Sequence, residues 1–121
     1  MSILAYITDL SFQARISQTA QAVAIEVKVV SSLYHFLPSL EKQPSMVLID
    51  LDAKGISPTT LIVQIKERNP DLPVVAYGSP EQKELFERAR KAGADSVLSS
   101  QQVSEELESI LTQYGTKKDS L

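Results

Sequence analysis

Short, nearly continuous apolar runs alternate along this chain with longer segments whose apolar residues recur at helical spacing, and few architectures satisfy that pattern. The runs Ile3 to Ile7, Val27 to Val30, Met46 to Ile49, Pro73 to Tyr77 and Ser96 to Leu98 read as strands. Because neighbouring residues point to opposite faces of a strand, an unbroken apolar run implies cover on both faces, which is the situation of a parallel sheet. Between the runs, Phe12, Ile16, Ala20 and Val23 fall on one face of a helix, as do Leu33, Phe36, Leu37 and Leu40. Leu61, Ile62 and Ile65 make a third such stripe, Leu85, Phe86, Ala89 and Ala92 a fourth, and Leu107, Ile110, Leu111 and Tyr114 a fifth. Five parallel strands joined by right-handed helical crossovers give an α/β doubly wound, flavodoxin-like three-layer sandwich, with strand order 2-1-3-4-5 expected. Ligands of that architecture sit beyond the carboxyl ends of the strands, so chemistry is expected there.

Local punctuation refines the helices. For the fourth, Ser79 is placed to cap, Pro80 to occupy the first turn, Gln82 to complete a capping box and Gly93 to supply the left-handed stop. In the second, Pro38 cannot donate to Tyr34, so a kink or a shortened helix is expected. Residues 1–114 are read as one domain and 115–121, with Lys117 and Lys118, as a solvated, frayed tail.

Composition excludes more than it selects. At 121 residues, with 43% hydrophobic and 22% charged, the chain can bury a core unaided. Twelve basic against 15 acidic residues leave a net charge of −3, which provides no general field for nucleic acid or anionic lipid. The absence of cysteine removes disulfides, thiolate metal sites and thiol catalysis. The N-terminus lacks a basic region and a long apolar stretch, and no segment approaches a membrane span, so a cytoplasmic protein is expected. The single histidine, His35, lies in the second helix beside Tyr34 with no predictable acid or nucleophile partner, leaving no basis for a histidine triad or zinc site. The loop Thr8-Asp9-Leu10-Ser11-Phe12 contains no glycine, which disfavours a nucleotide-phosphate cradle or flavin binding. No cofactor is expected.

Several local strings resemble the response-regulator receiver family and together span almost the whole chain, and three carry most of the weight. Pro44-Ser45-Met46-Val47-Leu48-Ile49-Asp50-Leu51 is similar to the phosphoacceptor strand, with Asp50 at the acceptor position and Gly55 in the following loop. Asn69-Pro70-Asp71-Leu72-Pro73-Val74-Val75 resembles the start of the fourth strand, and Ala89-Arg90-Lys91-Ala92-Gly93-Ala94-Asp95 the passage from the fourth helix to the fifth strand. The same resemblance exposes departures. Where the family holds a divalent cation with an acidic pair, this chain has Ile7 and Thr8, followed by Asp9. Gly78 stands at the hydroxyl position closing the fourth strand, with Ser79 one residue late. Ser100 and Gln101 replace the lysine and proline after the fifth strand, and Val97 the aromatic switch residue.

These replacements weaken the expected chemistry. Phosphoryl transfer depends on electrostatic stabilisation of charge spread over the phosphoryl oxygens. Magnesium favours near-octahedral oxygen ligation with one or two carboxylates; Asp9 and Asp50 alone would make a weak site, and Thr8 is a poor third ligand. Loss of one stabilising group typically costs about 3 kcal/mol, on the order of a hundredfold in rate. Asp50 is therefore read as a vestigial phosphoacceptor, structurally a carboxylate at a strand end, and Asp9 as its acidic-pocket partner; Asp52 reads as plain loop. No catalytic residue and no metal site are assigned. The expected function is a noncatalytic pseudo-receiver that binds another protein independently of phosphorylation. By resemblance, the surface of helix 4, strand 5 and helix 5 is its docking and homodimerisation face, although the charged stripe Lys83, Glu84, Glu87, Arg88 and Lys91 also reads as helix-stabilising pairs. A slow phosphoacceptor using Asp50 and a small-ligand binder at the strand-edge crevice are the alternatives.

Overall fold

The computed structural model describes residues 2–53 and 55–115; Lys54 and the tail from Thr116, including Lys117 and Lys118, lie outside the described residues. Along the chain the elements are β1 (Ile3–Tyr6), α1 (Leu10–Ala22), β2 (Val27–Val30), α2 (Leu33–Leu40), β3 (Met46–Asp50) and α3 (Pro58–Arg68). They continue with β4 (Val74–Gly78), α4 (Lys83–Ala92), β5 (Ser96–Ser99), α5 (Ser100–Glu105) and α6 (Leu107–Tyr114). The five strands form one parallel sheet in the order β2-β1-β3-β4-β5, so the expected doubly wound topology is the observed one.

Why the strand sequences are almost uninterruptedly apolar follows from the two layers they separate. Ile3, Ala5, Met46, Leu48 and Val75 face one core with Ile16 and Ala20 of α1, Val103 of α5 and Ile110 and Leu111 of α6. Leu4, Tyr6, Val47, Ile49, Val74 and Ala76 face the other, with Phe36 of α2, Leu61, Ile62 and Ile65 of α3 and Ala89 of α4. In the central strand β3 every residue is buried, whereas the edge strands β2 and β5 are only partly so. The parallel register sets Ile49 beside Tyr6 and Asp50 beside Tyr77, bringing Asp50 to the carboxyl edge of the central strand.

Three elements depart from sequence expectation. The fourth helix starts at Lys83: Ser79 closes a turn, its carbonyl accepting from the Gln82 N–H at 3.1 Å, and no side chain caps α4. The capping box forms instead at Ser99, whose hydroxyl accepts from the Gln102 N–H at 3.1 Å while the Gln102 side chain accepts from the Ser99 N–H at 2.8 Å. That box starts a short helix, α5, directly after β5, and a break at Glu106 separates it from α6; the stripe expected as the fifth helix, Leu107 to Tyr114, is α6, and α5 is an additional helix before it. Pro38 lies inside the eight-residue α2, tolerated because the helix is barely two turns long. The stop at Gly93 is as expected, left-handed with φ 117°. Gly115, expected in the tail, packs closely: a Cβ there would overlap Ile25 Cγ2.

Candidate functional site

The carboxyl edge of the sheet opens into a crevice of about 670 Å³. From the turn between β1 and α1 come Thr8, Asp9 and Phe12; from the end of β3 and its turn, Asp50 and Asp52; from β4, Tyr77. Ser100, Gln101 and Ser104 of α5 form the opposite wall, placed there by the capping box that makes the chain coil as soon as β5 ends. No described residue lining this crevice is basic.

Asp50 is 6% exposed, and its Oδ1 accepts the Asp52 N–H at 2.8 Å. Burial pushes its carboxyl above the usual range; the Asp52 hydrogen bond opposes that shift, while the charges of Asp52 and Asp9 reinforce it. Asp9 is already engaged: its Oδ1 accepts the Ser11 N–H at 2.9 Å and the Phe12 N–H at 3.3 Å, so it caps α1. Gln13 Nε2 donates to the Ile7 carbonyl at 2.6 Å, fixing the turn that carries Thr8 and Asp9. Tyr77 packs against Phe12 with ring centroids 5.1 Å apart, and its hydroxyl, although buried, has no hydrogen-bond partner. Burial, then the charges of Asp50, Asp9 and Asp52, raise the Tyr77 hydroxyl far above its ordinary pKa.

The residues do not fit the divalent cation of a phosphotransfer site. Among the described residues, no three His, Cys, Asp or Glu side chains form a group that could hold a metal ion. Asp9 has committed an oxygen to helix capping, and Thr8 is neutral. Gly78 closes β4 beside Ser99, and a Cβ at that point would meet Leu51 Cβ at 3.3 Å and Phe86 Cε1 at 3.5 Å. Val97 is half-buried against the core beneath α4.

A family model described as the response regulator receiver domain matches residues 8–112. The chain belongs to the response regulator receiver domain family. As a receiver domain it is a module of signal transduction, and receiver domains interact with other proteins. The receiver domain of NtrX from Brucella abortus is 18% identical and superposes with a TM-score of 0.81, covering 93% of this chain and 97% of that one. Chemotaxis response regulator CheY4 of Vibrio cholerae is 16% identical, with a TM-score of 0.79 and coverage of 93% and 97%. A CheY-like receiver domain protein from Methanospirillum hungatei JF-1 is 17% identical, with a TM-score of 0.77 and coverage of 93% and 94%. At these identities the likeness concerns the fold. Comparison with curated proteins gives no match.

The receiver fold thus brings Asp50 and Asp9 to one crevice, and Ser100, at the position of the missing lysine, to its rim. Asp52, expected to be plain loop, is exposed in the turn made immediately after β3, and that turn brings it to the edge of the crevice. Ser79 is not among the lining residues. Phe12 and Tyr77 carry no motif and read in sequence only as core; the signal available for Tyr77 was its position at the carboxyl end of an apolar run. His35 is exposed on α2, where Nδ1 lies 2.9 Å from the Ser32 hydroxyl. Among the described residues no helix is long and apolar enough to cross a membrane.

Proposed function

We propose that this receiver domain is a pseudo-receiver: a noncatalytic, cytoplasmic interaction module whose binding to a partner protein does not depend on phosphorylation of Asp50. The observation that carries the reading is the electrostatic make-up of the crevice. Three carboxylates line it with no basic side chain among its described residues, and one of the three already caps a helix. A phosphoryl group arriving at Asp50 would add negative charge to a site that holds negative charge already, without the cations that normally disperse it.

Residues 1–114 form the receiver unit in this reading, and Asp50 is a vestigial acceptor with Asp9 as its acidic neighbour. The partner, or a second copy of the chain, docks on the face of α4, β5 and α6. Support for that face comes from α4, which carries mixed charge on Lys83, Glu84, Glu87, Arg88 and Lys91, with Arg90 paired to Glu87 at 2.7 Å.

Incubation with acetyl phosphate and magnesium, followed by intact-mass spectrometry, is expected to leave the protein unmodified. Asp50→Ala and wild type are expected to retain the same partner from cell extract with equal affinity. An Asp50-dependent adduct of one phosphoryl group that changes partner affinity tenfold or more would overturn the pseudo-receiver reading and favour a slow phosphoacceptor.

A further inference from the structure

Helix α2 holds more apolar side chains than the core takes in. Its stripe of Leu33, Phe36, Leu37 and Leu40 is split by the fold: Phe36 is buried and Leu40 half-buried, whereas Leu33 and Leu37 turn outward. They join Tyr34, which is 83% exposed, and Pro38, also exposed. At spacings of one and four residues, Leu33, Tyr34, Leu37 and Pro38 share one outward strip. From Ser31 to Leu40 the chain has no acid, lysine or arginine. Among the described residues, the other large exposed hydrophobics, Leu10 and Val63, stand singly on different helices.

Both ends of the strip are electrically unfinished. At its start Ser32 is the N-cap residue, but its hydroxyl lies 2.9 Å from His35 Nδ1 and makes no cap bond, and the first turn contains no acid. The positive end of the helix and its free amides are thus left without a side-chain acceptor. At the far end, four residues beyond Leu37 on the same strip, stands exposed Glu41. Arg68 of α3 lines the same groove, yet among the described residues Glu41 is in no ion pair. A carboxylate at a helix C-terminus is opposed by its own helix and favoured at the start of another.

We infer that the chain forms a homodimer through α2, the two helices antiparallel about a two-fold axis near Leu37. Each Glu41 then lies over the uncapped start of the other helix, about 12 Å along it, with Leu33, Tyr34, Leu37 and Pro38 between. Parallel packing would lay Glu41 on Glu41 instead. A two-fold contact uses the same patch on both copies, and a strip carrying both the acceptor and the donors meets that condition. The patch falls well short of the roughly 800 Å² per partner of a standard interface, so the dimer is weak and concentration-dependent. Helix α2 follows the edge strand β2, whereas α4 packs beside β5 at the opposite edge. The second copy is therefore committed to α2, and the α4 face is left to the partner protein, two such faces per dimer. That consequence rests on the docking reading given above for α4; the dimer stands or falls separately.

Sedimentation equilibrium of the full chain over a rising concentration series is expected to show monomer and dimer. In nitrogen-15 spectra the amide shifts that grow with concentration should centre on Ser32 to Glu41 and spare Lys83 to Ala92 of α4. Tyr34→Ser, at a side chain too exposed to matter for folding, should weaken association about tenfold through loss of most of the patch. Ser32→Asp supplies a cap from within and repels the incoming carboxylate, and Glu41→Lys reverses the other end; each should weaken the dimer about fivefold. Combined in one chain, the two substitutions should restore it, because the facing ends are again opposite in charge. A chain monomeric at the highest concentration, shifts centred on α4, wild-type association by Tyr34→Ser, or no recovery in the double variant would each overturn the proposal. So would a monomer whose Tyr34→Ser variant loses a protein retained from cell extract, since the strip would then belong to another partner.

Discussion

Asp50 shows how far one side chain can be interpreted from position alone. Its place at the end of the third strand was legible, because the apolar run Met46 to Ile49 must stop where the chain leaves the sheet. Its burial and its neighbours were not, since Asp52 and Tyr77 reach it only through a tight turn and an adjacent strand. The folded-state pKa of Asp50 lies above its unfolded value, so the native protein holds more protons between the two and stability falls as pH rises through that window. Asp50→Asn is therefore expected to raise the melting temperature at pH 7, with the gain disappearing below about pH 4, where the unfolded aspartate is itself protonated. A variant no more stable than wild type at pH 7 would remove the desolvation account. Tyr77→Phe deletes the partnerless hydroxyl and keeps the ring contact with Phe12, so the free protein should gain about 1 kcal/mol in urea denaturation. A loss of stability would mean that the hydroxyl is satisfied in solution. Gly78 is the counterpart case: a Cβ there would sit 3.3 Å from Leu51 Cβ, so Leu51 would have to give by a few tenths of an ångström, while Phe86 would be in ordinary contact.

Helices were legible as stripes and much less so as boundaries. The same pattern, serine followed three residues later by glutamine, occurs at Ser79 and Ser99, and in sequence Pro80, suited to a first helical turn, favours Ser79. The fold chooses Ser99, where the chain turns over the sheet edge straight into α5, while Ser79 spends its carbonyl on a turn. Ser99→Ala should accordingly cost about 1 kcal/mol of folding stability and Ser79→Ala close to nothing, a difference that parallel denaturation curves would reveal or refute. A second device is Lys66 on α3. Its Nζ donates to the carbonyls of Pro70 and Leu72 at 3.2 and 2.9 Å and to Asp95 Oδ2 at 2.8 Å, while that oxygen also accepts the Val74 N–H at 2.8 Å. Partial burial alone would raise the Asp95 carboxyl, but these hydrogen bonds and the lysine charge hold it below the usual range. The clasp joins α3 to the starts of β4 and β5, far in sequence from one another. Lys66→Met should cost about 1–2 kcal/mol near neutral pH, discounted for the exposure of Asp95. Because a depressed carboxylate stabilises only above its unfolded pKa, the penalty should shrink as pH falls below about 4. An unchanged penalty at pH 3 would locate it in packing instead; packing does matter here, since Gly93 approaches Lys66 so closely that a Cβ would lie 2.9 Å from its Cγ.

Across the whole molecule, the order of the strands was legible because both faces of every strand needed cover and few windings supply it; the chemistry of the crevice was legible mainly as what it lacks. That distinction matters for switching, which needs both a reaction at Asp50 and a second global state for the product to favour. The first requirement can be rebuilt. Thr8→Asp with Ser100→Lys places an acid beside Asp9 and a cation on the α5 wall of the same crevice, and the double variant is expected to form a magnesium-dependent adduct with acetyl phosphate that wild type does not. The second requirement is not restored by those changes. Moving a population from 1:99 to 99:1 takes about 5.5 kcal/mol of differential interaction, and the positions that the family resemblance gives to the switch are held by Gly78, with no hydroxyl, and Val97, a half-buried aliphatic packed on the core with no ring to exchange between two positions. Amide shifts on phosphorylating the double variant are therefore expected to stay with the residues around the crevice and to leave Lys83 to Ala92 of α4 unmoved. If the adduct forms and the α4 resonances shift together with those of the crevice, the fold has kept a two-state path that these residues do not account for, and independence from phosphorylation would then belong to the missing chemistry alone.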